Sequence, residues 1–337
     1  MKLDRVLFVQ LKMLGDILML TPAIRAFKKK YPDALLDVAV ESPGDDLLRY
    51  NPNVNEIVTL KSKRWYNLAA QLKFISNLRR NKYDMVIDFL GNPRSSHYSF
   101  LTGAPVRIGY NDAQYRYAYT QTYERKFNYS AYSKLDFLKF LGIDSENVSL
   151  DYNLPEHVRL PYEFSALSQQ PIVAISPVSL RDDKIWPIEN FVRIAEFLYA
   201  KFRLYPVVIV GPGELRYLDN FKRLAKSPYL PLYIDNLYVL GAVLKRCRMF
   251  IGNDNGPKHI AVAMGLPTYA VFSHKSDPVG WTCPDPVRHR YSGGKNRPDC
   301  APIAEIKYKD VIPRISRMIS ELGIANLEKT SEKNIRE

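Results

Sequence analysis

The feature of this chain that most restricts its fold is a regular alternation of short apolar runs with longer segments of helical spacing. In residues 17–30, apolar side chains recur at Ile17, Leu20, Ile24 and Phe27, the spacing of one face of a helix. The runs between such segments are almost wholly apolar, as expected of strands that are covered on both faces. This alternation predicts a parallel β-sheet with helices on both sides. In the first half of the chain the predicted strands are residues 5–10, 35–40, 56–60, 84–89 and 106–109.

The alternation pauses at residues 152–171, a polar stretch that contains several prolines, and then begins again. Such a stretch is typical of a linker between domains. A chain of 337 residues also exceeds the length at which one hydrophobic core continues to grow. We therefore predict an α/β protein of two Rossmann-like domains, residues 1–160 and 161–325, followed by a frayed tail at residues 326–337. The strands predicted for the second domain are residues 172–176, 206–210, 232–234, 249–252 and 268–272.

The composition is that of an ordinary globular protein, with 46% hydrophobic and 25% charged residues. No apolar run approaches the roughly 18 residues that a membrane-spanning helix needs, so we expect a cytoplasmic protein. The cysteines Cys247, Cys283 and Cys300 form no Cys-x-x-Cys pair, which argues against a disulfide framework and a zinc site. The net charge of +13 favours an anionic partner, which could be a nucleic acid, an anionic membrane or a phosphorylated substrate.

Two common nucleotide-binding patterns are absent from the sequence. Neither the glycine-rich dinucleotide fingerprint nor the P-loop occurs, and the nearest segment, Gly211-Pro-Gly213, lacks a third glycine. The sequence also has no Asp-x-Asp pair, the arrangement of carboxylates that would clamp a metal ion on a sugar nucleotide. The sequence thus favours neither a dehydrogenase nor a P-loop NTPase, and we expect a mechanism without a metal ion or a cofactor.

The first segment that could carry chemistry is residues 11–16, which leave the first predicted strand and open the first helix. Open α/β sheets bind ligands at the carboxyl ends of their strands, and Asp16 would lie there. A carboxylate in that place can act as a general base that accepts a proton from an attacking hydroxyl. The alternative is that Asp16 only caps the helix by accepting backbone N–H bonds.

A second segment, residues 176–187, follows the first strand of the second domain and contains Ser179 and Lys184. Both side chains could hold phosphate. A lysine beside a leaving diphosphate would neutralise charge that develops in the transition state. The alternative is a charged loop at the solvated surface.

A third segment, residues 252–259, joins an apolar strand to an apolar helix. Pro257 suits the first helical position, and the N–H groups at the positive end of a helix bind anions such as diphosphate. The alternative is an ordinary capped helix in which His259 is a hydrogen-bonded core residue.

Together with shorter motifs, these three segments resemble glycosyltransferase family 9, the lipopolysaccharide heptosyltransferases of the GT-B fold. The resemblance extends over nearly the whole chain; each motif is modest, but the ordered set is specific. The motifs are Gly15-Asp16-Ile17 with Thr21-Pro22-Ala23, Tyr83-Asp84-Met85-Val86-Ile87-Asp88, Arg107-Ile108-Gly109-Tyr110, Asp182-Asp183-Lys184-Ile185-Trp186-Pro187, and Asp254-Asn255-Gly256-Pro257-Lys258-His259 with Gly265-Leu266-Pro267.

The resemblance implies two Rossmann-like domains with parallel sheets that face an interdomain cleft, the first for the acceptor and the second for the donor. It also implies an inverting transfer of L-glycero-D-manno-heptose from ADP-heptose to a sugar hydroxyl of the lipid-linked inner core of lipopolysaccharide. We accordingly expect transient contact with the inner face of the inner membrane, and no nucleic acid as a partner. Three alternatives stay open: a related transferase that uses another nucleotide sugar, a non-catalytic homologue that binds a sugar nucleotide, and a basic nucleic-acid-binding protein, which only the net charge suggests.

The resemblance also implies roles for individual residues. By position, Asp16 is similar to the family's proposed general base and Lys184 to its phosphate-contacting lysine. Asp254 is similar to the aspartate expected near the hydroxyls of the donor sugar, and Glu214 to an acidic residue expected to bind the ribose. The expected donor-binding residues are Ser179, Glu214, Asp254, Gly256, Pro257, Lys258 and His259.

The chain departs from the family pattern at two places, and each departure removes a possible phosphate donor. Asn255 stands where Ser or Thr is common, and Leu180 stands where a hydroxyl residue often occurs. On the acceptor side, Lys61, Lys63 and Arg64 could meet carboxylates or phosphates of the inner core, or could simply face solvent.

Tyrosines crowd residues 110–132. The period-two spacing of Tyr115, Tyr117 and Tyr119 predicts one face of a strand. Such amphipathic rings would pack on the sheet, or contact a sugar or the membrane interface.

Overall fold

The structure is a computed structural model that describes residues 3–61, 67–298 and 300–325. The chain divides into two compact units between Pro155 and Glu156. This division lies within the polar stretch 152–171 that the sequence marks as a linker, shortly before the boundary drawn from the sequence.

The first unit contains a six-stranded sheet in the order β3-β2-β1-β4-β5-β6, and every neighbouring pair of strands is parallel. Its strands are β1 (Arg5–Val9), β2 (Leu35–Glu41), β3 (Glu56–Leu60), β4 (Met85–Asp88), β5 (Val106–Tyr110) and β6 (Gln121–Tyr123). Its helices are α1 (Leu14–Leu18), α2 (Thr21–Lys30), α3 (Leu68–Arg80), α4 (Pro93–Leu101) and α5 (Ser130–Phe137).

The second unit repeats this plan with a parallel sheet in the order β12-β11-β10-β7-β8-β9. Its strands are β7 (Ile172–Ser176), β8 (Tyr205–Val210), β9 (Leu230–Tyr233), β10 (Met249–Asn253), β11 (Thr268–Phe272) and β12 (His289–Gly293). Its helices are α6 (Tyr162–Ser165), α7 (Ile188–Phe202), α8 (Leu215–Leu224), α9 (Leu237–Lys245), α10 (Gly256–Ala263), α11 (Pro278–Trp281) and α12 (Tyr308–Leu322).

Counted within its own unit, each sheet has the strand order 3-2-1-4-5-6, which is the order of the Rossmann fold. The α/β fold with two Rossmann-like parallel sheets is therefore confirmed. In this topology the strand order reverses between β1 and β4 and again between β7 and β10, and ligands bind outside the carboxyl ends of the strands at such points. The segments that carry Asp16, Lys184 and Asp254 follow β1, β7 and β10 respectively.

A buried tryptophan ties one of these segments to the core of the second unit. The Trp186 side chain is completely buried, and its ring packs edge-on against Phe191 at the start of α7. Its indole Nε1 donates to the Ile306 carbonyl at 2.7 Å. Because a large aromatic side chain with a satisfied donor contributes strongly to a core, the segment that precedes Trp186 has a fixed end.

Two predictions about local structure are wrong. Tyr115, Tyr117 and Tyr119 do not share a strand face, because a short 3-10 helix occupies Arg116–Ala118. Tyr119 turns inward, where its hydroxyl lies 2.7 Å from the Asp88 carboxylate and from Ser96 Oγ. The single helix predicted over residues 17–30 is two helices, α1 and α2.

The described part of the chain holds no helix with the length and apolar character that a membrane span requires.

Candidate active site

Asp16 lies in the first turn of α1, at its third residue, and does not cap the helix. The residue that precedes the helix is Met13, which has no side-chain oxygen to accept a capping hydrogen bond. The interpretation of Asp16 as a helix cap is therefore wrong. Its side chain is 20% exposed, and its Oδ1 lies 3.3 Å from the Lys134 ammonium.

Lys134, on α5, is the partner of Asp16 that the sequence did not reveal. Its side chain is 5% exposed and also donates to Ser130 Oγ at 2.7 Å. Burial lowers the pKa of Lys134 from its ordinary value, although the nearby Asp16 carboxylate acts in the opposite direction. The two residues are 118 positions apart, and no motif or spacing in the sequence connects them.

In the second unit, the residues expected to bind the donor, apart from Glu214, meet where β7 and β10 end. Lys184 Nζ lies 3.1 Å from Asp254 Oδ2. Ser179 Oγ is 3.4 Å from the Asp254 carbonyl oxygen, which makes a long hydrogen bond. The structure thus brings together two segments that are about 70 residues apart in sequence.

Asp254 is the centre of this cluster and carries three basic neighbours. Lys258 Nζ donates to its Oδ1 at 2.6 Å, and His259 Nε2 lies 3.9 Å from the same oxygen. Burial alone would raise the pKa of Asp254, but Lys258, His259 and Lys184 outweigh it and hold the pKa at about 2. Asp254 therefore stays ionised at neutral pH.

The two lysines differ in their surroundings. Lys258 is 3% exposed, donates also to the Trp281 carbonyl at 3.0 Å, and lies over the Phe272 ring. Burial lowers its pKa, and Asp254 acts against that effect. Lys184 is 21% exposed, so its ammonium is accessible to a ligand whereas that of Lys258 is enclosed.

Asn255 caps α10 with its side chain. Its Oδ1 accepts the Lys258 N–H at 3.0 Å, while its Nδ2 donates to Ser176 Oγ at 3.0 Å and to the Val178 carbonyl at 2.8 Å. Ser, Thr and Asn are all good N-caps, so Asn255 preserves the helix start that Ser or Thr would give.

The same cap limits the anion site expected at the start of α10. Pro257 has no N–H, and the Lys258 N–H is used by Asn255, so Gly256 supplies the amide that the cap does not use. An anion at this helix end therefore depends on the lysine side chain of Lys184 more than on a row of amides.

Asn253 is a second residue whose role the sequence did not reveal. Its Oδ1 accepts the Trp186 N–H at 3.0 Å, which connects the end of β10 to the segment that carries Lys184. An asparagine at the last position of an apolar strand was the available signal.

The charged loop before Trp186 is solvated surface in one part and faces inward in another. Arg181 and Asp183 form an exposed pair at 2.6 Å, as expected of a solvated surface. Leu180 is also exposed. Lys184, at the end of the same 3-10 turn, reaches inward to Asp254.

Glu214 precedes α8 and closes the turn that follows β8. Its Oε2 accepts the Gly211 N–H at 2.7 Å. Burial raises the pKa of Glu214, and the Gly211 bond counteracts part of the rise. The carboxylate is thus held in place at the carboxyl end of β8, apart from the Lys184 and Asp254 cluster that follows β7 and β10.

The residues expected on the acceptor side are described only in part. Lys61 is exposed and directly follows β3 in the first unit. Lys63 and Arg64 lie outside the described residues. Within the described ranges, no three His, Cys, Asp or Glu side chains are grouped so as to hold a metal ion.

A family model described as glycosyltransferase family 9 (heptosyltransferase) matches residues 71–307 of the chain. Among characterised proteins, lipopolysaccharide heptosyltransferase 3 of Escherichia coli is 28% identical over 283 residues, which cover 79% of this chain and 82% of that protein. Lipopolysaccharide heptosyltransferase 2 of Escherichia coli K12 is 22% identical, with 81% and 83% of the two chains covered.

Solved structures show the same fold. A glycosyl transferase of family 9 from Veillonella parvula superposes with a TM-score of 0.78 at 21% identity, covering 95% of this chain and 99% of that one. The Escherichia coli heptosyltransferase WaaC with ADP-2-deoxy-2-fluoro heptose gives a TM-score of 0.73 at 21% identity, covering 93% and 99%. These similarities confirm the predicted GT-B class of fold.

Proposed function

Because the chain belongs to glycosyltransferase family 9, and is thus a glycosyltransferase, we propose that it transfers L-glycero-D-manno-heptose from ADP-heptose to the lipopolysaccharide inner core. The similarity to lipopolysaccharide heptosyltransferases supports lipopolysaccharide as the acceptor, and a similar structure was solved with ADP-2-deoxy-2-fluoro heptose. The observation that carries the proposal is the cluster of Lys184, Lys258 and His259 around one ionised Asp254. It supplies excess positive charge where a Rossmann sheet binds its ligand.

On the donor side, Lys184 contacts the diphosphate of the donor. Its accessible ammonium stabilises the negative charge that develops as ADP departs, which is where an electrostatic contact accelerates the reaction. Asp254 accepts hydrogen bonds from hydroxyls of the donor sugar, since its ionised carboxylate is an acceptor only.

The remaining donor contacts come from three segments. Glu214 accepts from the ribose hydroxyls, in keeping with a carboxylate that one backbone N–H already orients. Ser179 and the start of α10 bind the diphosphate, with the Gly256 amide as donor and His259 beside Asp254. The proposed residues at that helix start are Gly256, Pro257, Lys258 and His259.

On the acceptor side, Asp16 is the general base. Its carboxylate takes the proton of the attacking hydroxyl, whose oxygen forms a bond to the anomeric carbon while the bond to the diphosphate oxygen breaks. ADP leaves with that electron pair, and the configuration at the carbon inverts. Lys61, Lys63 and Arg64 would contact anionic groups of the inner core.

The proposed acceptor is attached to lipid, so the enzyme works at the inner face of the inner membrane through transient contact. Neither a metal ion nor nucleic acid takes part in the proposed reaction. We expect transfer to persist in the presence of a chelator, and we expect the protein to co-sediment with anionic vesicles. A requirement for added metal would contradict the metal-independent mechanism.

The test is turnover with ADP-heptose and a heptose-acceptor lipopolysaccharide by wild type and Asp16→Asn. The substitution keeps the shape of the side chain but removes its basicity, so kcat falls by about 100-fold or more while ADP binding is retained. Asp33→Asn, at an exposed turn of the same unit, is the matched control. Wild-type turnover by Asp16→Asn removes Asp16 from the role of base.

The same assay decides between the proposed donor and its alternatives. Turnover with a UDP- or GDP-sugar in place of ADP-heptose would indicate a related transferase. Binding of ADP-heptose without turnover by the wild-type protein would indicate a homologue that only binds the sugar nucleotide.

A further inference from the structure

A cavity of about 450 Å³ opens in the second unit beside the edge strand β12 and helix α12. We propose that this cavity is a second anion site, separate from the donor site, and that it binds a phosphomonoester. The proposal does not depend on the function proposed above. The residues of the cavity lining that carry it are His289, Arg290, Tyr291, Arg297, Arg314 and Arg317.

The fold brings the four arginines to one place from three segments. Arg290 is the register partner of Tyr269, so it lies on the face of the sheet that packs against α12. Arg314 and Arg317 are three residues apart on α12 and therefore share a face of that helix. Arg314 Nη1 also lies 3.3 Å from Ser292 Oγ on β12, which holds this helix face against the strand.

The charge of the cavity favours an anion. Its described lining contains four guanidinium groups and no carboxylate. Glu321, from outside the lining, forms an ion pair with Arg290. Arg297 lies over the Tyr291 ring, with 5.2 Å from its Cζ to the ring centroid. Guanidinium groups that line one cavity repel one another, and an anion bound among them reduces that repulsion.

The chemistry of the lining selects the kind of anion. Guanidinium groups bind phosphate through two parallel N–H bonds each, and a phosphomonoester offers three oxygens and close to two negative charges near neutral pH. A single carboxylate offers half that charge. The volume lies within the roughly 300–1,000 Å³ of ordinary ligand sites, so a phosphate and the group attached to it fit together. The Tyr291 ring gives that group an aromatic surface.

The cavity is not part of the donor site. The donor residues follow the carboxyl ends of β7, β8 and β10. Pro286 and His289 of the cavity lie before and at the first residue of β12, which is parallel to those strands. These two residues therefore lie at the amino ends of the strands, whereas the donor residues follow the carboxyl ends. None of Ser179, Lys184, Glu214 and Asp254 belongs to the lining.

The experiment measures binding of two probes to the full chain in the presence of ADP, which is added to occupy the donor site. Glycerol 3-phosphate, followed by calorimetry, represents a free phosphomonoester. Phosphatidylcholine vesicles that contain phosphatidic acid, followed by co-sedimentation, represent a lipid headgroup. We expect at least one probe to bind wild type, and Arg314→Gln/Arg317→Gln to weaken that binding roughly tenfold or more, since charge-assisted hydrogen bonds are lost.

The control variant, Lys222→Gln/Arg223→Gln, removes the same charge from the exposed end of α8, away from the cavity lining. It should bind like wild type. Binding of the soluble probe alone assigns the cavity to a free metabolite, and binding of the vesicles alone assigns it to a lipid headgroup. If the double arginine variant unfolds at a lower temperature than wild type, Arg317→Gln alone, at an exposed position, takes its place.

Three outcomes overturn the proposal. Neither probe binds to wild type, or the arginine variants bind as well as wild type, or the control variant loses as much affinity as they do. The last outcome would show that the net charge of the surface, and not the cavity, attracts the probe.

Discussion

At the level of single residues, the proposed donor site depends on one carboxylate that is shared by two ammonium groups. Lys258 is enclosed and donates hydrogen bonds to Asp254 and the Trp281 carbonyl, whereas Lys184 is partly exposed and forms an ion pair with Asp254. We infer that Lys258 holds Asp254 in place and that Lys184 is the lysine that meets substrate.

Substitution of the two lysines should therefore separate stability from activity. Lys184→Gln should lower kcat/KM by about 100-fold, as for loss of one preorganised donor, with little change in stability. Lys258→Gln should destabilise the fold by about 3–5 kcal/mol, since it removes the main partner of a buried carboxylate. Lys245→Gln, at the exposed end of α9, is the control for both. Urea unfolding and steady-state kinetics measure the difference, and equal effects of the two substitutions would refute the division of roles.

Asn255 offers a second test at this scale. Asn255→Ser should leave the free energy of unfolding nearly unchanged, because serine also caps a helix. Asn255→Ala should cost about 1–2 kcal/mol, because the cap to Lys258 is lost together with the bonds to Ser176 and Val178. Denaturant unfolding of the three proteins gives the comparison. A serine variant as unstable as the alanine variant would mean that the cap is not what stabilises this helix start.

At the level of secondary-structure elements, the geometry of the proposed donor site depends on how closely β7 and β10 approach each other. Gly252 pairs with Ser176 in the register of these strands, directly before Asn253 and Asp254. A Cβ atom added at Gly252 would lie 2.7 Å from the Ser176 carbonyl oxygen and 2.9 Å from the Phe250 ring.

Gly252→Ala should therefore separate the two strand ends. The expected cost is about 1–3 kcal/mol in the free energy of unfolding, the usual range for overpacking, and ADP affinity should fall as well because Asp254 shifts. Thermal unfolding with and without ADP measures both effects. A variant with wild-type stability and ADP affinity would show that the strand ends can move apart without disturbing the site.

The sequence predicted the elements whose pattern is set by burial on both faces. The strands β1, β2, β7 and β10 are fully or almost fully buried, and each appears in the sequence as an apolar run. Two of the four edge strands, β6 and β12, were missed. An edge strand pairs on one side only, and these two carry polar residues in Gln121–Tyr123 and His289–Gly293, so neither appears in the sequence as an apolar run.

The candidate site, like the fold, could be predicted from the sequence in part. Asp16, Lys184 and Asp254 could be chosen because they follow strands and stand in motifs. Lys134 could not, because its contact with Asp16 arises from the packing of α5, which leaves no trace in local sequence. The Tyr119 hydroxyl likewise turns toward Asp88 because of a tertiary hydrogen bond that overrides the alternating pattern.

At the scale of the whole molecule, stability should depend on pH through His289. Burial lowers the pKa of His289 to about 4, below the ordinary value of 6.5; Asp285 acts against this shift, and Arg288 and Lys258 add to it. The folded state thus holds the neutral ring, and protons bind the unfolded chain first. The stability that the neutral His289 ring contributes is complete above pH 6.5. It decreases as the pH falls below that value, and it is lost once the pH has fallen through about 4.

The His289 contribution amounts to about 3 kcal/mol between pH 7 and pH 4. His289→Gln, which stays neutral, should therefore lose less stability than wild type over this interval. Urea unfolding of both proteins at the two pH values gives the difference. Parallel pH profiles for the two proteins would exclude His289 as the source.

In the function proposed for the whole molecule, the second unit binds an adenosine diphosphate sugar through Lys184 and Asp254. Calorimetric titration of ADP, UDP and GDP into wild type and Lys184→Gln tests it most directly. We expect ADP to bind wild type more tightly than UDP or GDP, and Lys184→Gln to weaken the ADP complex roughly tenfold or more, since a charge-assisted contact is lost. Tighter binding of UDP or GDP, or ADP binding that is unchanged in Lys184→Gln, would contradict it.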